Sequence, residues 1–163
     1  MKNIVFARVD DRLIHGEVVT AWVPTHRINH IIIVDEETAS DPFQKRILKA
    51  LSPTGVQVDA YTVTEATSVL QKDFNERERV LLLAKSPIAY SQLFKSGVDL
   101  REVNLGGMGI RGERKTFVKN VACDPNEITA IQELFDAGVN VYYQLVPEQR
   151  IIEVRDLVDR PAR

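Results

Sequence analysis

The sequence predicts an α/β fold in which an open, doubly wound and mainly parallel sheet carries helices on both faces. Three observations favour this fold. Short apolar runs rich in β-branched residues recur along the chain, segments with helix-capping signals lie between most of them, and the length of 163 residues is that of one ordinary domain. We therefore expect a single domain that spans residues 1–163.

Six apolar runs have the length and composition of strands buried on both faces. They are Ile4–Val9, His30–Asp35, Val56–Tyr61, Arg79–Ala84, Val103–Leu105 and Val139–Val146. In an open parallel sheet, ligands bind outside the carboxyl ends of the strands, where the strand order reverses. The loop that follows the first strand is therefore expected to lie at the functional edge of the sheet.

Helices are predicted where an N-cap residue precedes proline, because proline suits the first helical position. The three such starts are Asp41-Pro42, Ser86-Pro87 and Asp124-Pro125, and the last also places Glu127 in the capping-box position. A further helix is expected from Gly16 to His26. The alternation of helices with strands gives the sheet its right-handed crossovers.

Composition excludes several classes of function. The 21 basic and 23 acidic residues give a net charge of -2, so no overall positive field attracts nucleic acid. The single Cys123 cannot form an internal disulfide, and the Cys and His spacing does not suggest a structural zinc site. No apolar stretch has the length of a signal peptide or a membrane span, so we expect a cytoplasmic protein that needs no cofactor, with contact to a membrane partner left open.

The richest segment for chemistry runs from Arg8 to Glu17, directly after the first predicted strand. His15 carries an imidazole, a side chain that is suited to act as a nucleophile, a proton carrier or a metal ligand. Arg8 and Arg12 carry planar guanidinium groups that match the oxygens of a phosphoryl group. A carboxylate from Asp10 or Asp11 is able to accept a proton from one ring nitrogen and leave a lone pair on the other. These residue types indicate phosphate chemistry, and Gly16 after the histidine lets the backbone approach a reacting group.

Two further patterns in the sequence are typical of ligand-binding sites. Asp10 and Asp11 have the chemistry of a magnesium-binding pair, but we favour capping and ion pairing with the arginines, so no metal is expected. The segment from Gly107 to Gly112 matches a dinucleotide-binding fingerprint, yet a basic, β-prone stretch follows it where a helix is required. We expect instead a flexible loop that brings Arg111, with Arg114 and Lys115, near the phosphoryl site.

The chain resembles the IIB components of the mannose/fructose/sorbose family of the bacterial sugar phosphotransferase system. The resemblance is carried by the residues from Arg8 to Trp22, by the strand end at Ile32–Asp35 and by the turn at Asn104–Met108. It extends over essentially the whole chain. In the turn, Gly107 stands where this family commonly has Asn.

The resemblance implies a phosphocarrier, that is, a protein-N(pi)-phosphohistidine–sugar phosphotransferase component. A phosphorylated IIA protein would pass a phosphoryl group to His15, and His15 would pass it to a sugar bound by the membrane components IIC and IID. The sugar would be a hexose or an amino-hexose such as mannose, fructose, sorbose or N-acetylgalactosamine. Family likeness also allows a small homo-oligomer and peripheral association with the membrane complex.

The resemblance also implies roles for the neighbours of His15. Arg8 and Arg12 would stabilise the transferred group, and Asp10 would orient the imidazole. Gly16, Gly107, Met108 and Arg111 would contact the phosphoryl group or the partner, and an apolar rim of Leu13, Ile14 and Met108 would serve docking. The sequence leaves open which ring nitrogen of His15 reacts.

Two alternatives belong to other functional classes. The first is a nucleotide-binding domain that uses the loop from Gly107 to Gly112 without covalent chemistry. The second is a regulatory module that pairs phosphate with Arg8 and Arg12 and does not turn it over. His26 and His30, which flank a short connection, are expected in solvent with no catalytic role.

Overall fold

A seven-stranded sheet forms the centre of the computed structural model, which describes residues 1–72 and 75–158. Its strands are β1 (Ile4–Asp10), β2 (His30–Val34), β3 (Gln57–Tyr61), β4 (Val80–Ala84), β5 (Glu102–Gly107), β8 (Asn140–Tyr143) and β9 (Ile152–Glu153), and a separate antiparallel pair is formed by β6 (Lys115–Val118) and β7 (Val121–Cys123). The parts of the expected domain at residues 73–74 and 159–163 lie outside the described residues.

Helices connect most of the strands. They are a π-helical turn (Val18–Trp22) continued by α1 (Val23–Thr25), then α2 (Glu36–Ala39), α3 (Pro42–Ala50), α4 (Val63–Leu70), α5 (Pro87–Lys95), α6 (Pro125–Asp136) and α7 (Arg155–Val158). The three predicted helix starts before proline are confirmed, because the side chains of Asp41, Ser86 and Asp124 each accept a backbone N–H in the first turn. Glu127 completes the expected capping box.

The sheet has the strand order β3-β2-β4-β1-β5-β8-β9, and every described pairing is parallel except that of β9 with β8. Its two faces are both covered. Ile31 and Ile33 of β2 pack with the first helix and α3, whereas Ile32 and Val34 pack in the cluster that contains residues of α4, α5 and α6. The predicted doubly wound α/β fold is therefore confirmed.

The strand order places a switch point at β1, between β4 and β5. The chain leaving β1 crosses one face toward β2, while the chains leaving β4 and β5 cross the other face, as right-handed connections require. Adjacent loops therefore separate at the carboxyl end of β1 and open a crevice there. The loop that carries His15 begins at this crevice.

The structure adds elements that the apolar pattern did not predict. The hairpin of β6 and β7 arises from the basic stretch that follows Gly112, and α4 begins at a capping box formed by Thr62 and Glu65. β6 was missed because its first two residues are exposed, so it shows no apolar run. None of the helices in the described ranges has the length and apolar composition needed to cross a membrane.

Candidate phosphoryl-transfer site

The chain turns back on itself directly after β1, and this turn brings His15 to the end of the strand. The backbone N–H of Leu13 donates to the carbonyl of Asp10 at 2.9 Å, and Leu13 has a φ of 58°, which is the left-handed region that a branched side chain rarely adopts. The side chain of Leu13 is buried, which holds this conformation in place. The helical stretch then begins after His15, whose carbonyl accepts the N–H of Val19.

His15 is held by a buried carboxylate. Its Nε2 atom lies 2.7 Å from Oδ2 of Asp10, whose side chain has no exposed surface, while 15% of the His15 side chain remains exposed. Burial alone would raise the pKa of Asp10, but hydrogen bonds from His15 and from the Arg12 backbone lower it below its usual value. Asp10 is therefore ionised near neutrality and only accepts, so Nε2 carries the ring proton and Nδ1 carries a lone pair.

Arg8 lies beneath this pair and is completely buried. Its Nη1 donates to Oδ1 of Asn104 at 2.6 Å and to the carbonyl of Gln144 at 3.1 Å. Its Nη2 donates to the carbonyl of Leu145 at 3.1 Å and lies 3.4 Å from Oδ2 of Asp10. Both terminal nitrogens of the guanidinium thus bind groups of the protein, and Nη2 supports the Asp10 carboxylate on its buried side.

Two neighbours shape the space for Arg8. Its guanidinium carbon lies 5.2 Å from the centre of the Trp22 ring. On the other side it lies against Gly106, where a Cβ atom would come within 2.1 Å of the guanidinium carbon. Glycine is required at this position because no side chain fits between the strand and the arginine.

Arg12 is the arginine of the loop that faces solvent, with 55% of its side chain exposed. Its Nε lies 3.6 Å from Oδ1 of Asp10, and its Nη2 lies 3.7 Å from Oε2 of Glu17. These distances leave the guanidinium loosely held beside the carboxylate that binds His15. Arg12 is therefore available to an anion that arrives at His15.

Asp11 connects the His15 loop to the segment between β5 and β6. Its Oδ2 accepts the N–H of Gly109 at 2.8 Å and Nη1 of Arg114 at 3.2 Å. Arg114 in turn makes a two-pronged ion pair with Glu127 of α6, at 2.8 and 2.9 Å. Burial alone would lower the pKa of Arg114, but the carboxylates of Glu127 and Asp11 raise it above its usual value.

Comparisons with known proteins identify the family to which the chain belongs. The family model described as the sorbose subfamily IIB component of the PTS matches residues 4–162. The chain belongs to the sorbose-subfamily IIB components of the sugar phosphotransferase system. This IIB protein is 32% identical to the fructose-specific EIIB component of Bacillus subtilis over 90% of each chain.

Two further relatives extend the comparison. This IIB protein is 34% identical to the mannose-specific EIIAB component of Escherichia coli, over 96% of this chain and 49% of that protein. The crystal structure of the sorbose permease IIB domain of Klebsiella pneumoniae superposes with a TM-score of 0.89 at 30% identity, over 98% of each chain. The resemblance stated from the His15 segment is therefore confirmed, and so is the fold.

The structure brings together some of the predicted site residues of this IIB protein and separates others. His15, Asp10 and Arg12 form one cluster, in which Asp10 is buried and the side chains of His15 and Arg12 are partly exposed. Arg8 has no exposed surface, so its expected contact with the transferred group is corrected to support of the Asp10 carboxylate within the core.

The remaining predicted contact residues also differ in exposure. Gly16 is exposed, and a Cβ atom there would meet nothing within 4 Å, so no close approach within the protein requires glycine. Gly107 is buried, and its carbonyl accepts the N–H of Asp11. Arg111 is exposed over 69% of its side chain and lies 3.9 Å from Asp11.

The expected apolar rim of Leu13, Ile14 and Met108 is wrong, because all three side chains are buried. Met108 lies 1% exposed between the end of β5 and β7, where its backbone bonds with Asn120 and Ala122, so a contact with a partner through its side chain is excluded. The apolar side chains that do reach solvent near the site come from other elements. They are Phe43 and Ile47 of α3, which line a groove of about 400 Å³ with Arg12, and Ile110.

The segment from Gly107 to Gly112 does not have the geometry of a dinucleotide site. It runs into β6, an extended strand, and no helix begins within it to meet a pyrophosphate. Lys115 is exposed in β6, and Arg114 is fixed by Asp11 and Glu127. The expectation of a flexible loop that brings Arg111, Arg114 and Lys115 near the phosphoryl site is therefore corrected to a loop anchored through Arg114, on which the side chain of Arg111 is 69% exposed.

The three residues that bind the guanidinium of Arg8 were not identified as its partners from the sequence. Asn104 binds Arg8 from β5, and the carbonyls of Gln144 and Leu145 follow β8. A signal was present for the first, because an amide in the middle of an apolar strand needs a buried partner. In the described ranges no group of three or more His, Cys, Asp or Glu side chains has the arrangement of a metal site.

Proposed function

We propose that His15 of this IIB protein is a phosphocarrier residue that accepts a phosphoryl group on Nδ1. The observation that carries the proposal is the 2.7 Å hydrogen bond between Nε2 of His15 and the buried carboxylate of Asp10. It fixes the ring orientation and leaves Nδ1 as the nucleophile. In the described part of the chain, no side chain forms a hydrogen bond with Nδ1 of His15.

Acceptance of the phosphoryl group from a IIA histidine needs little rearrangement. The lone pair of Nδ1 attacks phosphorus in line, the nitrogen–phosphorus bond of the donor breaks, and its electron pair returns to the donor imidazole. The His15 ring then bears a positive charge, with its proton still on Nε2 facing ionised Asp10. Asp10 stabilises this charge from a buried position, where an ionic interaction is strong.

Charge on the transferred oxygens requires a cation on the solvent side, and Arg12 fits this role. The guanidinium of Arg12 is exposed and lies beside Asp10, with no tight bond to either of its carboxylate neighbours. The helical stretch begins at residue 16, directly after His15, and the N-terminus of a helix favours negative charge. Arg8 acts indirectly, through Asp10.

The second transfer returns His15 to its starting state. A sugar hydroxyl attacks phosphorus, the bond to Nδ1 breaks with its electron pair returning to the ring, and the hydroxyl proton leaves to a base outside this chain. We assign the sugar to the membrane components IIC and IID, on whose cytoplasmic side this IIB protein would bind reversibly. The relatives named above are specific for fructose, mannose and sorbose, so the family leaves the hexose or amino-hexose open.

The test is to incubate the protein with the phosphorylated IIA protein of the same system and to analyse the product by mass spectrometry and NMR. We expect one phosphoryl group that is labile in acid and stable in base, with 15N shifts that assign it to Nδ1 of His15. The matched controls are His15→Ala and His26→Ala, of which only the first should abolish labelling. Labelling that persists in His15→Ala would overturn the proposal, and labelling on Nε2 would overturn the role given to Asp10.

A further inference from the structure

The loop of residues 109–114 stands beside the His15 site and carries three side chains into solvent, those of Ile110, Arg111 and Glu113. Ile110 is 73% exposed, and the side chain of Arg111 is 69% exposed. An exposed apolar residue next to an exposed guanidinium is a composition found at protein interfaces. The phosphocarrier role by itself assigns no task to this loop.

The loop is held more firmly than its exposure suggests. Asp11 accepts the N–H of Gly109 at the start of the loop, and Arg114 at its end donates to the same Asp11 oxygen and to the carbonyl of Gly109. Both ends of the loop are thereby tied to the residue that follows Asp10. The loop cannot move without disturbing a hydrogen bond beside the His15 site.

The anchor of this arrangement is buried in α6. Glu127 is 2% exposed, and its two carboxylate oxygens accept Nε and Nη2 of Arg114. A capping box needs only one of these oxygens, which Glu127 also gives to the N–H of Asp124. The second oxygen serves Arg114, so Glu127 does more than cap its helix.

We infer that Glu127, Arg114 and Asp11 are positioning residues that hold Ile110 and Arg111 as a docking surface for the protein that donates the phosphoryl group to His15. The inference rests on the phosphocarrier role proposed above. Arg111 lies within 3.9 Å of Asp11, whereas Arg12 lies within 3.6 Å of Asp10, which binds the reacting ring. Arg12 therefore serves the phosphoryl group, and Arg111 faces the surroundings.

The expected occupant is a protein surface with carboxylates around its phosphohistidine and an apolar patch for Ile110. The exposed guanidinium groups of Arg12 and Arg111 would pair with such carboxylates, and charges at the rim of an interface act mainly on association. A small phosphoryl donor has no surface to dock. Its reaction with His15 should not depend on the loop.

The experiment compares three Arg→Gln variants of the full chain that remove the same charge. Arg111→Gln removes the contact, Arg114→Gln removes the positioning, and Arg101→Gln is the control, because Arg101 is exposed and precedes β5 at the opposite end of the sheet. Each is phosphorylated by two donors, the phosphorylated IIA protein and the small molecule phosphoramidate. KM and kcat are measured for the first donor and the rate of labelling for the second.

We expect KM for the IIA protein to rise about tenfold in Arg111→Gln and in Arg114→Gln, with kcat and the phosphoramidate rate within about twofold of the wild type. The double variant should show a rise in KM smaller than the product of the two single effects, because Arg114 acts in part by positioning Arg111. A loss of stability alone would lower both donors' rates together. Arg111→Gln alters an exposed side chain and keeps the test valid if Arg114→Gln unfolds.

Three outcomes would overturn the inference. An unchanged KM for the IIA protein in Arg111→Gln would show that the loop is not a docking surface. Equal losses of rate with both donors would show that the loop contributes to the transfer reaction itself. Fully additive effects on KM in the double variant would show that Arg114 does not position Arg111. Absence of labelling of the wild type by the IIA protein would instead contradict the phosphocarrier function. The two failures are therefore distinguishable.

Discussion

Nε2 of His15 lies 2.7 Å from Oδ2 of Asp10, and the same oxygen of Asp10 lies 3.4 Å from Nη2 of Arg8. A buried cation, a buried anion and a surface imidazole thus form a short series that leads from the core to the solvent. In this series Nε2 of His15 faces Asp10, which leaves Nδ1 as the nitrogen that we propose to be the nucleophile.

Asp10→Asn should lower the rate of phosphoryl transfer to His15 by about 10² to 10⁴-fold. An amide no longer compels Nε2 to keep the ring proton, and it does not stabilise the charged ring. Rapid-quench labelling measures the rate, and 15N NMR of the imidazole reports the tautomer. A variant with wild-type rates and an unchanged tautomer would show that the carboxylate is dispensable.

Arg8→Gln and Arg12→Gln should differ in their effect on the free energy of unfolding. Removal of the Arg8 charge leaves Asp10 buried with a weaker partner set, so we expect a loss of about 3 to 5 kcal/mol in the free energy of unfolding. Arg12→Gln alters an exposed side chain and should change stability by less than about 0.5 kcal/mol. Urea unfolding of the two variants measures the difference.

Arg12→Gln should change the rate of phosphoryl transfer to His15. Arg12→Gln should slow phosphoryl transfer roughly 100-fold, because a charge-stabilising donor near the transferred oxygens is lost. The rate is measured with a small donor, phosphoramidate, so that docking does not contribute. If Arg12→Gln transferred at the wild-type rate, the charge would have to be stabilised by another group.

Gly106→Ala should destabilise the protein by about 3 kcal/mol, because the added methyl group overlaps the guanidinium of Arg8. Gly16→Ala is the matched control, since its Cβ meets open space and its backbone conformation is ordinary. We expect its stability to stay within about 0.5 kcal/mol of the wild type. Equal stability of both variants in thermal unfolding would contradict the tight packing of Arg8.

Acid stability should depend on the ionic cluster at the opposite end of the sheet. Burial would raise the pKa of Glu78, but hydrogen bonds from Lys2 and His30 lower it below its ordinary value of 4.5. A carboxyl group with a depressed folded-state pKa contributes stability that is present above its unfolded pKa and is lost as pH falls through the folded pKa. The contribution of Glu78 should therefore be full above pH 4.5 and be lost progressively as the pH falls below this value.

Glu78→Gln tests this dependence. We expect the variant to be less stable than the wild type at pH 7 and to approach it as the pH is lowered below 4.5. Denaturant unfolding at intervals between pH 7 and pH 3 measures both curves. A constant difference across this range would mean that the ionisation of Glu78 does not contribute.

Much of the fold follows from local sequence. The apolar runs predicted six of the seven strands of the central sheet, and the Asp-Pro and Ser-Pro pairs predicted where α3, α5 and α6 begin, because capping and φ preferences act over a few residues. The burial of Arg8 was also within reach. It lies in a predicted two-sided strand, two residues from Asp10 and thus on the same face.

Other features depend on contacts between residues that are far apart in the sequence. His30 was expected in solvent, yet it is buried, with its Nδ1 against Glu78 and its Nε2 against Asp59. The partners of Arg114 were equally invisible, because Asp11 lies 103 residues from it along the chain. Such pairs depend on strand order and register, which local patterns leave undetermined.

The sequence by itself determined the α/β class, and it indicated the edge of the sheet that carries the proposed site and the histidine at the centre of that site. Only the tertiary structure decided which arginine faces solvent, which ring nitrogen of His15 is free and how the loop of residues 109–114 is anchored. The physical reason is the range of the interactions. Capping, turns and hydrophobic periodicity are read within a few residues, whereas ion pairing and burial of a charged side chain are fixed by neighbours from distant strands.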